Sequence, residues 1–258
     1  MHLYIWAKDS GLTSRLYILT GITLFLLLSA TQVQAQRHRY KLKKITNLST
    51  FDDKLVHFGF SLGVNTAGFR QENDLSRNDS LKIVETNPQL GFNLGIVGAL
   101  HFGKHVSLRF IPTLSFCQRN MEYTYTSFAG SQNKKYIKPV ESTYLDFPLN
   151  LKLRSARYHN FAAYVVGGFM YSYDLVSQHD VVNESVNPDD IVIKLNQHTY
   201  SYQIGAGFDF FLPYFKFSPE FKLSMGLNNN LIQDNTLFAT PLNYLKSRIF
   251  LVSFTFEG

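Results

Sequence analysis

Charge is scarce in this chain. Only 17% of its 258 residues are Asp, Glu, Lys or Arg, which argues against a disordered segment and against a nucleic-acid partner. Cysteine is almost absent: Cys117 stands alone, so no internal disulfide can form, and it is expected to act as a small strand residue without chemistry. Beyond residue 28 there is no run of the roughly 18 to 20 apolar residues that a membrane helix requires. The glycine pattern of a nucleotide-binding loop is missing too. "GAGFDF" at 205–210 has neither the full spacing nor a following helix. Its glycines are better explained by close packing inside a small barrel.

What is abundant is Phe and Tyr, with 23 and 15 residues. The formal charge of +6 is local. Residues 1–35 contribute +1 through Lys8, Asp9 and Arg15, and "RHRYKLKK" at 37–44 contributes +5 through Arg37, Arg39, Lys41, Lys43 and Lys44. The remainder is neutral, so the basic pI needs no basic groove. Arg15, the apolar stretch Leu16 to Leu28 and the small-residue site Val33-Gln34-Ala35 have the layout of an export signal over 1–35. An uncleaved signal anchor is the alternative. A basic lead-in over 36–56 and a membrane domain over 57–258 then follow.

In "FDDKLVHFGFSLGVN" (51–65), Phe58, Phe60, Leu62 and Val64 alternate with Gly59, Ser61, Gly63 and Asn65. Strand side chains point alternately to opposite faces, so one face is greasy and the other small and polar. The same alternation recurs in 88–102, 106–125, 144–154, 200–211, 215–227 and 248–256, while 161–175 is apolar on both faces. Short links at 103–104, 155–160 and 212–214 alternate with long polar ones at about 70–88, 122–139, 176–197 and 228–247. This predicts an all-β fold, an eight-stranded antiparallel up-and-down transmembrane β-barrel of the outer membrane with both termini on the periplasmic side. Its partner is then the lipid bilayer. A soluble sandwich or lipocalin-like barrel would need the Phe-rich faces packed inward. Eight strands leave an interior wide enough only for side chains, so a filled plug is expected.

Arg109, Lys152, Lys216 and Lys222 share the expected interior with Asp146, Asp209 and Glu220. Buried charges must pair, and a structural ion-pair network is the reading. His101 and His105 bracket a strand turn and do not share a helix face, so no metal is expected. No cofactor or catalytic constellation is expected, and the chain is read as non-enzymatic. The periplasmic lead-in, comprising the basic block with Phe51, Asp52, Asp53 and Lys54, is a candidate contact for a partner.

The segments "FDDKLVHFGFSLGVNTAGF" (51–69), "NPQLGFNLGIVG" (87–98), "YLDFPLNLKLR" (144–154), "IGAGFDFF" (204–211) and "KFSPEFKLSMGL" (216–227) resemble the PorT (SprT) family of Bacteroidota. Members are small outer-membrane barrels required by type IX secretion and, in gliding species, for surface motility. The resemblance implies an accessory or assembly role in exporting cargo with C-terminal sorting domains, with other secretion components as partners. It supplies no catalytic residues. The alternative is a generic small barrel serving adhesion, envelope integrity or small-ligand binding.

Overall fold

The computed structural model describes residues 46–258 except 75, 77–79, 127–132, 180, 182 and 184–186. The expected signal sequence and the basic residues Arg37, Arg39, Lys41, Lys43 and Lys44 lie outside the described residues. Nine strand segments follow in order: β1 (Val56–Asn73), β2 (Leu81–His101), β3 (Val106–Phe110), β4 (Thr113–Thr126), β5 (Asn133–Arg154), β6 (Phe161–Asp174), β7 (His198–Phe211), β8 (Lys216–Gly226) and β9 (Leu242–Glu257). β3 and β4 form one stave, since both pair with β2 on one side and β5 on the other. The interruption falls at Pro112, which has no N–H to give to a ladder; its carbonyl still accepts from the Ile96 N–H at 3.0 Å.

Every pairing is antiparallel, and β1 pairs with both β2 and β9. The last strand thereby returns to the first and closes an up-and-down ring of eight staves, leaving no unpaired edge. Side-chain alternation then sorts the chain radially. On β1, Phe58, Phe60, Leu62 and Val64 face outward and are exposed, while Ser61 and Asn65 are buried in the interior. On β6, where the sequence shows no polar face, Ala162, Tyr164, Val166 and Met170 point in, and Phe161, Val165 and Phe169 point out. The outward apolar surface fits a belt on the order of 25 Å tall. Aromatic contacts run along it, with Phe60 stacked on Phe256 at 4.8 Å and Tyr171 against Tyr200 at 5.5 Å.

Two of the long links are shorter than the sequence suggests. β2 and β5 run 21 and 22 residues, about twice what a tilted strand needs to cross a bilayer. Most of 70–88 and 122–139 is therefore hairpin projecting past the belt, where outward positions turn polar at Gln118, Asn120, Glu122 and Thr124. The inner face of this extension is apolar, and the two remaining long links fold onto it. Ile191, Ile193 and Leu195 from one, and Leu231, Phe238 and Ala239 from the other, pack with Phe69, Val84, Met121 and Leu245. Phe238 sits at its centre, 4.9 Å from the Tyr123 ring. Burial pushes the Tyr123 and Tyr125 phenols up, keeping them as donors to the carbonyls of Phe238 and Leu237 at 3.0 and 3.1 Å.

Small inward residues make room for large ones. A Cβ at Gly207 would stand 2.5 Å from the Tyr164 hydroxyl, whose residue lies directly opposite in the β6–β7 register. Gly207→Leu is expected to destabilise the barrel by about 1–3 kcal/mol or more through overpacking. The reduced fraction of heat-modifiable, fast-migrating protein on an unboiled gel would show it; unchanged migration and stability would contradict this packing.

Candidate functional site

The inward faces of β3, β5, β7, β8 and β9 assemble a charged layer. Arg109 on β3 reaches Glu220 on β8, Nη1 to Oε2, at 2.6 Å. The other Glu220 oxygen takes Lys222 at 2.9 Å, and Tyr164 donates to Oε2 at 2.8 Å. Lys152 on β5 pairs with Asp209 on β7 at 2.7 Å, and Ser218 donates to the same Asp209 oxygen at 2.6 Å. Lys216 pairs with Glu257 at 2.8 Å, directly opposite in the β8–β9 register, and Arg109 stands 3.7 Å from that carboxylate. All these groups are buried. In so dry a setting the pairs are tolerable because each charge meets a counter-charge, and Glu220 and Asp209 each accept a further hydroxyl.

The structure thus brings Arg109, Lys152, Lys216, Lys222, Asp209 and Glu220 together, and sets Asp146 apart from that layer. Asp146 accepts from the hydroxyls of Ser115 and Ser172, each at 2.5 Å. Its neighbours form an amide and hydroxyl chain: Asn65 donates to Asn93 at 2.5 Å, and Asn93 donates to Ser115. Sequence reasoning misses Glu257, whose alternation with Ser253 and Thr255 marks it as inward. It also misses Arg119. That arginine is fully buried between Phe69, 4.6 Å below its guanidinium, and hydroxyls of Ser142, Tyr144 and Ser247 at 3.1–3.3 Å.

At the short-turn end the lead-in closes the mouth. Leu48 takes a left-handed turn (φ 48°) and Phe51–Asp53 forms one 3₁₀ turn. This carries Phe51 into the interior, stacked on His57 at 3.7 Å and edge-on to His101 and Phe211, with the Lys216 ammonium 4.5 Å from its ring. Asp52 pairs with Arg154 at 2.8 Å. Asn47 donates to the Phe211 carbonyl at 3.0 Å, and Arg157 donates to the carbonyl of Asn47. The expectation that Phe51 and Asp52 are free to meet a partner is therefore corrected. An apolar ring and a carboxylate find an aromatic pocket and an arginine inside the mouth, and only Asp53 and Lys54 of that segment remain exposed.

The consequence is a blocked lumen. The space beside Lys152, Asp209, His101 and Arg154 is about 10 Å³, at the limit for one water. A larger cavity of about 330 Å³ lies at the mouth, between Lys104, His105, Arg154 and Arg157 on one side and Asp52 and Asp53 on the other. No group of three or more His, Cys, Asp or Glu suited to a metal occurs among the described residues.

A closed antiparallel ring with a greasy outside and a charged, filled inside is the arrangement that a bilayer imposes on a strand protein. The sequence matches the model of the outer membrane protein beta-barrel domain over residues 34–231. The chain belongs to that family. This outer membrane barrel is also similar to OprG from Pseudomonas aeruginosa, at 13% identity and a TM-score of 0.40, over 80% of this chain and 97% of that one. The N-terminal β-barrel domain of Pseudomonas aeruginosa OprF is similar at 12% identity and a TM-score of 0.29, over 76% of this chain and 96% of that one. No curated protein matches the sequence. The family match ends before β9, the strand that closes the ring and carries Glu257.

Asp209→Asn would leave Lys152 buried without its counter-charge, and a loss of about 3–5 kcal/mol is expected. Replacing both, Lys152→Met with Asp209→Leu, is expected to recover most of it, because an apolar pair leaves no charge uncompensated. Denaturant unfolding in detergent micelles measures both; equal losses in the single and double variants would contradict the pairing argument. In a planar bilayer the intact barrel is expected to show no steady ionic conductance, and open-channel currents would show that the lumen is not sealed.

Proposed function

We propose that this outer membrane barrel is a non-catalytic accessory or assembly component of type IX protein secretion, with its termini and short turns in the periplasm and its long links outside. The observation that carries the reading is the sealed lumen. A barrel filled by side chains and plugged by Phe51 is no conduit for a folded or unfolded cargo chain, so a role in export has to be exercised through its ends or its outer wall. Support for the secretion assignment comes from the resemblance of "FDDK" joined to "HFGFSLGVN" to the PorT family. Asp53 and Lys54, which are exposed, and the basic residues Arg37 to Lys44 of the sequence supply the periplasmic contact. The long links at about 70–88, 122–139, 176–197 and 228–247 supply an outer one.

A generic envelope barrel is the second reading, favoured by a family match that describes the outer-membrane domain at large. It predicts no link to cargo export.

A clean deletion with complementation decides between them. Mass spectrometry of the cell surface and medium is expected to show loss of mature cargo, with precursors accumulating in the periplasm. Unchanged export would move the function to the second reading, and a chain lacking Arg37 to Lys44 that still supports export would remove the basic block as the essential contact. Orientation is read separately. A cysteine at the exposed Asn235 is expected to react with an impermeant maleimide on whole cells, and one at the exposed Ala156 only after the outer membrane is opened. The reverse pattern would invert the barrel.

A further inference from the structure

The outer wall changes character along the β1–β9 seam. In the register of these two strands Leu62 lies against Phe254, Val64 against Val252 and Thr66 against Phe250, an apolar lane within the belt. The next outward pairs toward the long links are Gly68 with Arg248 and Arg70 with Lys246. Their direction follows from alternation: Ala67, Phe69, Leu245 and Ser247 are buried inside, so Arg70, Lys246 and Arg248 point out. Arg70 and Arg248 are exposed, and Lys246 is half-exposed with its ammonium 5.7 Å from the Tyr244 ring.

The backbone positions of these three cationic residues lie roughly 5–8 Å apart by strand geometry. Among the described residues none of them forms an ion pair. The nearest acid along β1, Glu72, lies opposite Tyr244, one outward step beyond the Arg70–Lys246 pair. Like charges directly opposite on a sheet repel, and an anion brought from outside would relieve that repulsion. Gly68, opposite Arg248, is covered by Pro88 and Thr86 of β2, whereas the Arg248 guanidinium is exposed and can make two parallel donations to a phosphate. Directly beneath lies the apolar lane.

We propose that Arg70, Lys246 and Arg248 bind the phosphate groups of a phosphorylated glycolipid of the outer leaflet, whose acyl chains lie along the β1–β9 lane. The assignment to that leaflet rests on the outward orientation of the long links stated above. The ligand chemistry rests on the cluster itself: three outward cations at the polar edge of an apolar track, against Glu72 as the one outward acid on these two strands. The lipid would also brace the seam where the first and last strands meet.

The test uses the full chain refolded in detergent, with bis-phosphorylated lipid A, the same lipid A stripped of phosphate, and phosphatidylglycerol as probes. Binding is read by native mass spectrometry, and folding by heat-modifiable migration. Arg70→Gln/Lys246→Gln/Arg248→Gln is expected to bind bis-phosphorylated lipid A about a hundredfold more weakly than the unaltered chain, since each cation near an anionic lipid surface contributes roughly a factor of five. Lipid A without phosphate is expected to bind weakly to both. Equal binding by variant and parent, or indifference to the phosphates, would overturn the site. Equal affinity for phosphatidylglycerol with the same cation dependence would overturn the glycolipid assignment. Should the triple variant fail to fold, Arg248→Gln alone is expected to lose about fivefold, and Arg248→Gln without loss would count against the site. Binding in detergent does not depend on orientation, whereas maleimide labelling at Asn235 reads orientation alone, so the two readings fail separately.

Discussion

The constraint on which the rest of the structure depends is that a bilayer offers backbone N–H and C=O groups no water. A strand protein there has to satisfy every one of them by pairing, and a sheet does so only by closing. Here closure is made where β9 lies antiparallel to β1, from Gly59 opposite Glu257 to Asn73 opposite Leu242. Once the ring exists, strand alternation leaves each residue two choices, lipid or lumen. Phe58, Phe60 and Phe254 take the first, and Asn65, Arg109 and Glu220 the second.

A narrow ring then dictates what the lumen can hold. With eight staves there is no room for bulk water, so the inward charges are compelled to neutralise one another. Arg109 and Lys222 share Glu220, Arg109 also stands beside the Glu257 carboxylate that pairs with Lys216, and Lys152 has Asp209. The composition of the interior changes along the axis. Within the belt it is ionic and amide-rich, whereas beyond it the hairpins carry an apolar inner face covered by Phe238, Ile193 and Leu231. At the other end Phe51 does the equivalent work between His57 and Phe211. A barrel so filled would act at its surfaces, and the two surfaces singled out are the lead-in and the cationic seam.

Much of this architecture is legible without coordinates, because the period-two pattern is local. "HFGFSLGVN" shows its greasy and polar faces by inspection, and "FKFSPEFKLSMGL" does the same for Glu220 and Lys222. Where the pattern is weak the reading fails. β6 is apolar on both faces, and only packing shows that Tyr164 faces in over Gly207 while Phe169 faces out. The hairpins are longer than alternation suggests, because their outward faces turn polar beyond the belt, which in sequence looks like a loop. Asp146 shares a face with the ion pairs but accepts from Ser115 and Ser172 instead. Height along the barrel axis, which decides its neighbours, is not visible in alternation.

The sequence by itself determined the class of fold, the inward or outward sense of most strand residues and the need for the buried charges to pair, since these follow from alternation and from the scarcity of charge. The tertiary structure alone decided who pairs with whom. Arg109 and Glu220 are separated by 111 residues in the chain, and their meeting depends on the stagger of strands around a closed ring. The inward turn of Phe51, the cover over the outer hairpins and the alignment of Arg70 with Lys246 and Arg248 have the same origin. Each is a contact between distant segments whose relative height is set by register, a property of the assembled sheet that no single strand contains.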